Sequence, residues 1–334
     1  MTEPLAALRI GSKAQALLGT ADVRWGVLAA VRGAIYIANR DGELVWITDQ
    51  ARALHSRALL LAAMPRNLPD PESRMHTSAG VLWCEEFEIP WRQAALVMPR
   101  ATSTSDRHVE DFPDRVSDAL RLVMDSRRDS TSLDYSAGSL KDGVKSAGKA
   151  SAADTITDKL KRATRSLACV SSWDDVLPTL RSISHVVGLG QGLTPGGDDM
   201  LGGFLYTLRT LNETCSRMMP GIDWEGVMAW LHSVAHRTNA ISRCMLLDHA
   251  HGVACSPLAE LMRAALEGAS GAQLAPLASD VAGIGASTGR NLLEGVGAAC
   301  SVMQASARGS IRRHASQVKP VGGDCWRREV ARVR

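Results

Sequence analysis

The chain has 334 residues, 45% of them hydrophobic, and a formal net charge of +3. That length suggests about two domains, and the apolar share suffices for packed cores, which excludes global disorder. The charge is too small to argue for nucleic acid, and no run reaches the roughly 18 apolar residues of a membrane span.

Aromatic residues make up only 4% of the chain, so Ala and Gly must carry much of the packing. The seven cysteines (Cys84, Cys169, Cys215, Cys244, Cys255, Cys300, Cys325) are scattered and never form a C-x-x-C pair. That spacing argues against a disulfide framework or a cysteine zinc site. Met1 to Arg9 lacks the apolar stretch of a secretory leader, so the expected location is cytoplasmic.

In chain order, a helical turn is expected between Ala6 and Leu18. Trp25–Val31, Gly33–Ala38 and Glu43–Thr48 are short β-prone runs, the last two joined at Asn39-Arg40-Asp41-Gly42, a hairpin signal. Ala51 to Met64 has helical spacing with Pro65 as its stop. Val81–Ile89 and Gln93–Met98 read as two more strands. Residues 1–100 therefore form a β-rich domain. A helical connector is expected over 101–180, with one helix at Val109–Met124 and a polar Ser-rich linker near 126–154. Helical patterning returns at Leu160–Leu167 and Trp173–Ile183. It dominates a third region over 181–310, with helices at Met200–Leu211, Trp224–Val234, Leu258–Leu266, Leu274–Val281 and Leu292–Met303. Residues 311–334 form a basic tail. The fold class is α+β, β-rich in front and mainly helical behind.

The most tightly specified stretch is Gly188-Leu189-Gly190-Gln191-Gly192-Leu193-Thr194-Pro195-Gly196-Gly197-Asp198-Asp199. Thr194 reads as an N-cap and Pro195 as the first helical residue. Gly196 and Gly197 would leave the first-turn N–H groups open to a carboxylate or phosphate. Two acids beside an anion repel it unless a cation or proton intervenes, so one of them holds a metal or ammonium-like group or acts as a base. The spacing is neither G-x-G-x-x-G nor a P-loop, which disfavours a nucleotide site. There is no Gly-x-Ser-x-Gly elbow.

A second loop, Gly283 to Gly295, echoes the first. Gly289-Arg290-Asn291-Leu292-Leu293-Glu294-Gly295 lines up with Gly197-Asp198-Asp199-Met200-Leu201-Gly202-Gly203. The echo predicts two facing helix starts, with Asp198 and Arg290 across one cleft and Arg290 clamping a carboxylate. Thr238, Asn239 and Ser242 supply neutral polar groups for capping or for holding an amide. His232 and His236 share a helix face, but no H-E-x-x-H accompanies them. His236 is the best-placed general base among the histidines.

Gly188 to Asp199 resembles the signature of the AllH family. Thr238 to Ser242 with Leu246 and Gly252, and the loop before Leu292, resemble its other two blocks. Residue by residue, Gly190, Gly192, Thr194, Gly197, Asp198 and Asp199 match the first block, and Thr238 and Ser242 the second. The third departs in the order Ser287-Thr288-Gly289 and in Asn291, where an acid is more usual. The resemblance implies a subunit of oxamate carbamoyltransferase, which works with separate partner subunits and exchanges a carbamoyl group between oxalurate and phosphate.

On this reading Gly190, Gly192, Thr194, Gly196, Gly197, Thr238, Asn239, Ser242, Ser287, Thr288 and Gly289 bind the substrate, a small carboxylate or phosphate anion. Asp198, Asp199, Arg290 and His236 carry the chemistry. No cofactor is expected, magnesium being the one ion the paired acids leave room for. Two alternatives stand: a non-catalytic anion-binding or scaffolding subunit, and a metal-dependent hydrolase or lyase using Asp198, Asp199 and His236.

Overall fold

The computed structural model describes residues 3–20, 22–97, 109–131, 152–214, 219 and 221–317, with the backbone alone at 124–131, 152–155 and 308–317. The strands come first: β1 (Glu3–Pro4), β2 (Ala7–Gly11), β3 (Arg24–Val31), β4 (Ala34–Asn39), β5 (Leu44–Thr48), β6 (Ala58–Leu61), β7 (Arg74–Ser78), β8 (Val81–Trp83), β9 (Phe87–Pro90) and β10 (Ala95–Val97). One helix, α1 (Ser12–Gly19), interrupts them. The helices follow: α2 (Phe112–Thr131), α3 (Ala152–Ala168), α4 (Val176–Ser182), α5 (Gly196–Thr214), α6 (Trp224–Val234), α7 (Ala240–Ala250), α8 (Ser256–Leu266), α9 (Gly271–Ala282) and α10 (Thr288–Gln317). This is an α+β fold. Among the described residues no helix is long and apolar enough to cross a membrane.

The strands form one curled, mixed sheet in the order β1-β9-β8-β7-β3-β4-β5-β6-β2-β10. The β4–β5 hairpin turns where Asp-Gly predicts. Asn39 Oδ1 accepts from the N–H groups of Asp41 and Glu43, and Gly42 adopts φ +78°, a conformation that favours glycine. Strand alternation then sorts side chains to two faces. Ile35 and Ile37 join Trp25, Val27, Leu82, Phe87 and Ile89 in the core inside the curl. Tyr36 and Trp46, with Leu44, Ala58 and Leu60, face the other way and pack with Leu193, Ile241 and Cys244 of the helical half.

Because β5 and β6 are buried on both faces, they read as continuous apolar runs rather than alternating ones. That explains one correction. The helix expected over Ala51–Met64 is a single 3-10 turn at Ala51–Ala53 followed by β6, paired between β5 and β2. A short apolar run carries no period that separates a buried strand from a buried helix. Val81–Ile89 is likewise two strands, turning where Cys84 N–H donates to the Phe87 carbonyl. β7, with polar residues at alternate positions, was not foreseen. The Ser-rich stretch at 132–151 and the tail from 318 onward lie outside the described residues.

In the helical half α5 is buried nearly all round, with Leu201, Phe204, Leu205, Leu208 and Leu211 inaccessible. It crosses α10 at backbone distance. A Cβ on Gly203 would collide with the Leu292 carbonyl, and one on Gly295 with the Met200 carbonyl. These are equivalent positions in the two aligned glycine segments, so the contact is its own mirror under exchange of the helices. The two segments pack as a pseudo-twofold pair.

A buried ion pair ties the sheet to α7. Arg57, just before β6, gives Asp248 two hydrogen bonds, Nε to Oδ2 at 2.5 Å and Nη2 to Oδ1 at 3.1 Å. Its Nη1 reaches Glu43 Oε2 at 2.7 Å, and Lys13 Nζ lies 3.5 Å from Asp248 Oδ1. Burial alone would raise the Asp248 carboxyl. The hydrogen bonds and charge of Arg57, with the other cations around it, outweigh that and hold it below the usual range.

Candidate functional site

The glycine loop between the 3-10 turn Ser184–Val186 and α5 closes on itself. Gly188, Gly190 and Gly192 take φ of +76°, +133° and +94°. A Cβ on Gly197 would run into the Val186 carbonyl. Three of the first-turn amides expected to cradle an anion are already engaged. Gly197 N–H donates to Leu189 C=O at 2.9 Å, and Asp198 and Asp199 N–H donate to Pro195 C=O at 2.9 and 3.1 Å. Open amides lie earlier: among the described residues nothing accepts from the N–H groups of Gly190 through Thr194. Successive amides in a loop with left-handed positions form a concavity suited to anions. The open amides thus lie mainly in the loop rather than in the first turn of the helix.

The two adjacent acids have different surroundings. Asp198 has both oxygens filled. Oδ1 accepts from Gly188 N–H at 2.8 Å; Oδ2 accepts from Thr238 Oγ1 at 2.5 Å and Ser242 Oγ at 2.7 Å. Asn239 caps α7 by accepting from Ser242 N–H, and its Nδ2 donates to the Leu193 carbonyl at 3.0 Å. Thr238, Asn239 and Ser242 therefore clasp α7 to the glycine loop through Asp198. Each of their polar contacts is spent inside the protein.

Asp199 is 5% exposed, and its Oδ2 is buried without a hydrogen-bond partner among the described residues. Burial drives its pKa up. The Thr288 hydroxyl opposes this, the charge of Asp198 adds to it, and the Thr194 hydroxyl opposes it; the result is about 8. The acid is mostly neutral at pH 7. Thr194 Oγ1 and Thr288 Oγ1 lie 2.7 Å apart, joining the two glycine loops beside it. On the pseudo-twofold partner Asn291 takes the place of Asp199. Its amide nitrogen would sit 2.7 Å from a Cβ on Gly196, and no described residue hydrogen-bonds its side chain. The crossing of α5 and α10 thus presents a neutral acid and a carboxamide at related positions. A buried polar oxygen left unpaired is costly, and a perturbed acid in such a place marks a candidate site.

These residues lie within a stretch that a family comparison matches. The stretch 186–300 matches the family model described as oxamate carbamoyltransferase subunit AllH. That stretch is similar to the AllH family. No curated protein and no solved structure matches the chain. The AllH region takes in the glycine loop, α5 to α9 and the first half of α10, and leaves the sheet and α2 to α4 outside.

Within the AllH region the two helix starts meet at Thr194 and Thr288, but the charges do not. Arg290 is exposed, touches only its own Ala286 carbonyl at 3.5 Å, and makes no ion pair among the described residues. The expected pairing of Asp198 with Arg290 is therefore replaced by the hydrogen bonds of Asp198 to the loop and α7. His236 is exposed on the 3-10 turn Ala235–Arg237 and hydrogen-bonds no described residue. Among the described residues no three His, Cys, Asp or Glu side chains are grouped to hold a metal ion, so the set Asp198, Asp199 and His236 is not assembled. Ser287 is exposed, and its carbonyl accepts from Asn291 N–H. Gly289 packs against the end of α9, where a Cβ would strike the Val281 carbonyl.

Sequence reasoning missed Tyr36. Burial first, and then the nearby charge of Asp199, raise its hydroxyl above the ordinary value. The signal was present in the alternation of Ile35, Tyr36 and Ile37, which sends a lone tyrosine to the outer face of the sheet.

Proposed function

We propose that the chain is a subunit of a carbamoyltransferase that holds a small carboxylate at the crossing of α5 and α10, next to partner subunits that complete the enzyme. The observation that supports this reading is Asp199 Oδ2, a buried oxygen without a partner among the described residues, on an acid with a pKa of about 8, inside the region that matches the AllH model. The loop amides of Gly190 to Thr194 face the substrate carboxylate or the phosphate. In the direction that makes carbamoyl phosphate, a phosphate oxygen attacks the carbamoyl carbon of oxalurate. The bond from that carbon to the bridging nitrogen breaks, and oxamate leaves. Asp199 gives its proton to the departing nitrogen and recovers the one the phosphate releases. A pKa near the working pH suits an acid that must both give and take a proton. Arg290, exposed and without an ion pair among the described residues, meets the incoming phosphate.

The test is ligand stabilisation, since a small molecule that binds only the folded chain raises its melting temperature by mass action. Oxamate should raise the melting temperature of the wild-type chain and fail to raise that of Asp199→Ala, while acetate moves neither. The same oxamate shift in both proteins, or none in either, overturns the assignment of this site.

A further inference from the structure

We propose that Tyr36, which lies in the sheet and outside the AllH region, is a substrate-contacting residue whose hydroxyl donates to an oxygen of the bound carboxylate opposite Asp199. This rests on the reading of Asp199 as the reactive acid. The geometry begins with register: Tyr36 pairs with Trp46 across β4 and β5, their rings 6.1 Å apart. Both stand on the sheet face that packs with Leu193 and Ile241. Leu193 immediately precedes Thr194, whose hydroxyl joins Thr288 beside Asp199. The tyrosine ring thus belongs to the layer that abuts the glycine loop.

Its hydroxyl is close enough to Asp199 for the carboxylate charge to act on it. Tyr36 is only partly buried, and no described residue hydrogen-bonds its hydroxyl. A tyrosine at an apolar seam ordinarily finds a partner for its O–H. Here the cluster it packs against (Leu44, Trp46, Leu54, Ala58, Leu60 and Ile241) is apolar but for the Trp46 indole N–H, which is spent on the Ala53 carbonyl. A phenylalanine would fill the same space, so the hydroxyl is unexplained by packing. An O–H and a neutral carboxyl within electrostatic reach of each other suit a planar ligand with oxygens at both ends, the chemistry of an α-oxo amide carboxylate such as oxamate.

The experiment is Tyr36→Phe in the full chain assembled with its partner subunits. The hydroxyl supports no contact within the described residues, so the melting temperature without ligand should stay at the wild-type value. The KM for oxamate should rise about tenfold, the range for losing one hydrogen bond to a charged group, with kcat nearly unchanged. A merely structural tyrosine would show no such split. An unchanged KM in Tyr36→Phe, with Asp199→Asn inactive, overturns the role of Tyr36 and leaves the Asp199 reading standing. Full activity in Asp199→Asn overturns that reading instead.

Discussion

Two adjacent aspartates at one helix start have opposite surroundings, and pH separates them. Asp198 spends its oxygens on three donors, whereas Asp199 is buried with one oxygen unpaired among the described residues. An unfolded chain loses the Asp199 proton near pH 4, while the folded chain keeps it to about pH 8. Its folded pKa is raised, so the favourable contribution is complete below pH 4 and declines as pH rises toward 8, by up to about 1.4 kcal/mol per pH unit. Above that the folded carboxyl has ionised too and the loss levels off. The titratable groups that face it are Asp198, Tyr36 and Cys255, and Asp199→Asn leaves all three in place. The stability of Asp199→Asn relative to wild type, from urea unfolding at fixed pH values, should therefore rise between pH 4 and 8 and then flatten. A pH-independent difference would mean that Asp199 is not buried as a neutral acid. The pair of acids was legible in the sequence, but their division of labour was not. It depends on Thr238 and Ser242, about forty residues away, arriving at one aspartate and not at its neighbour.

Among elements, the crossing of α5 and α10 was the most legible, because the aligned glycines at Gly203 and Gly295 mark a backbone-to-backbone contact. α7 was less so: Thr238, Asn239 and Ser242 signalled a cap, but the helix beyond carries Asp248 and His249 on buried positions, which blurs its period. β6 was misread for want of any period at all. The ion pair that anchors α7 to the strand it abuts escaped notice because Arg57 and Asp248 are distant in sequence. Removing Asp248 strips the buried Arg57 of two of its hydrogen bonds and leaves it only the half-exposed Glu43 as an ion-pair partner among the described residues, and breaking a buried pair costs about 3–5 kcal/mol. Asp248→Ala should destabilise the chain by that order in urea unfolding. The double replacement Arg57→Met with Asp248→Leu should recover most of the loss, because it buries no unpaired charge. A loss under 1 kcal/mol in the single variant would show that the pair is solvated.

For the whole molecule, the family match and the fold divide differently. The AllH region stops short of α2, α3 and the sheet, yet α2 and α3 pack on α10. The outer face of β4, β5 and β6 shares a core with Ile241 and Leu193. The acid comes from the helical half, and the tyrosine opposite it from the sheet. On the proposed reading, the front half closes a site that the rear half supplies. The central claim is that Asp199 handles the proton of carbamoyl transfer, and turnover tests it most directly. In the enzyme assembled with its partner subunits, Asp199→Asn should slow formation of carbamoyl phosphate from oxalurate and phosphate by about 10²- to 10⁴-fold, the range for losing a general acid–base, while the variant stays folded. Wild-type turnover in Asp199→Asn would contradict the account.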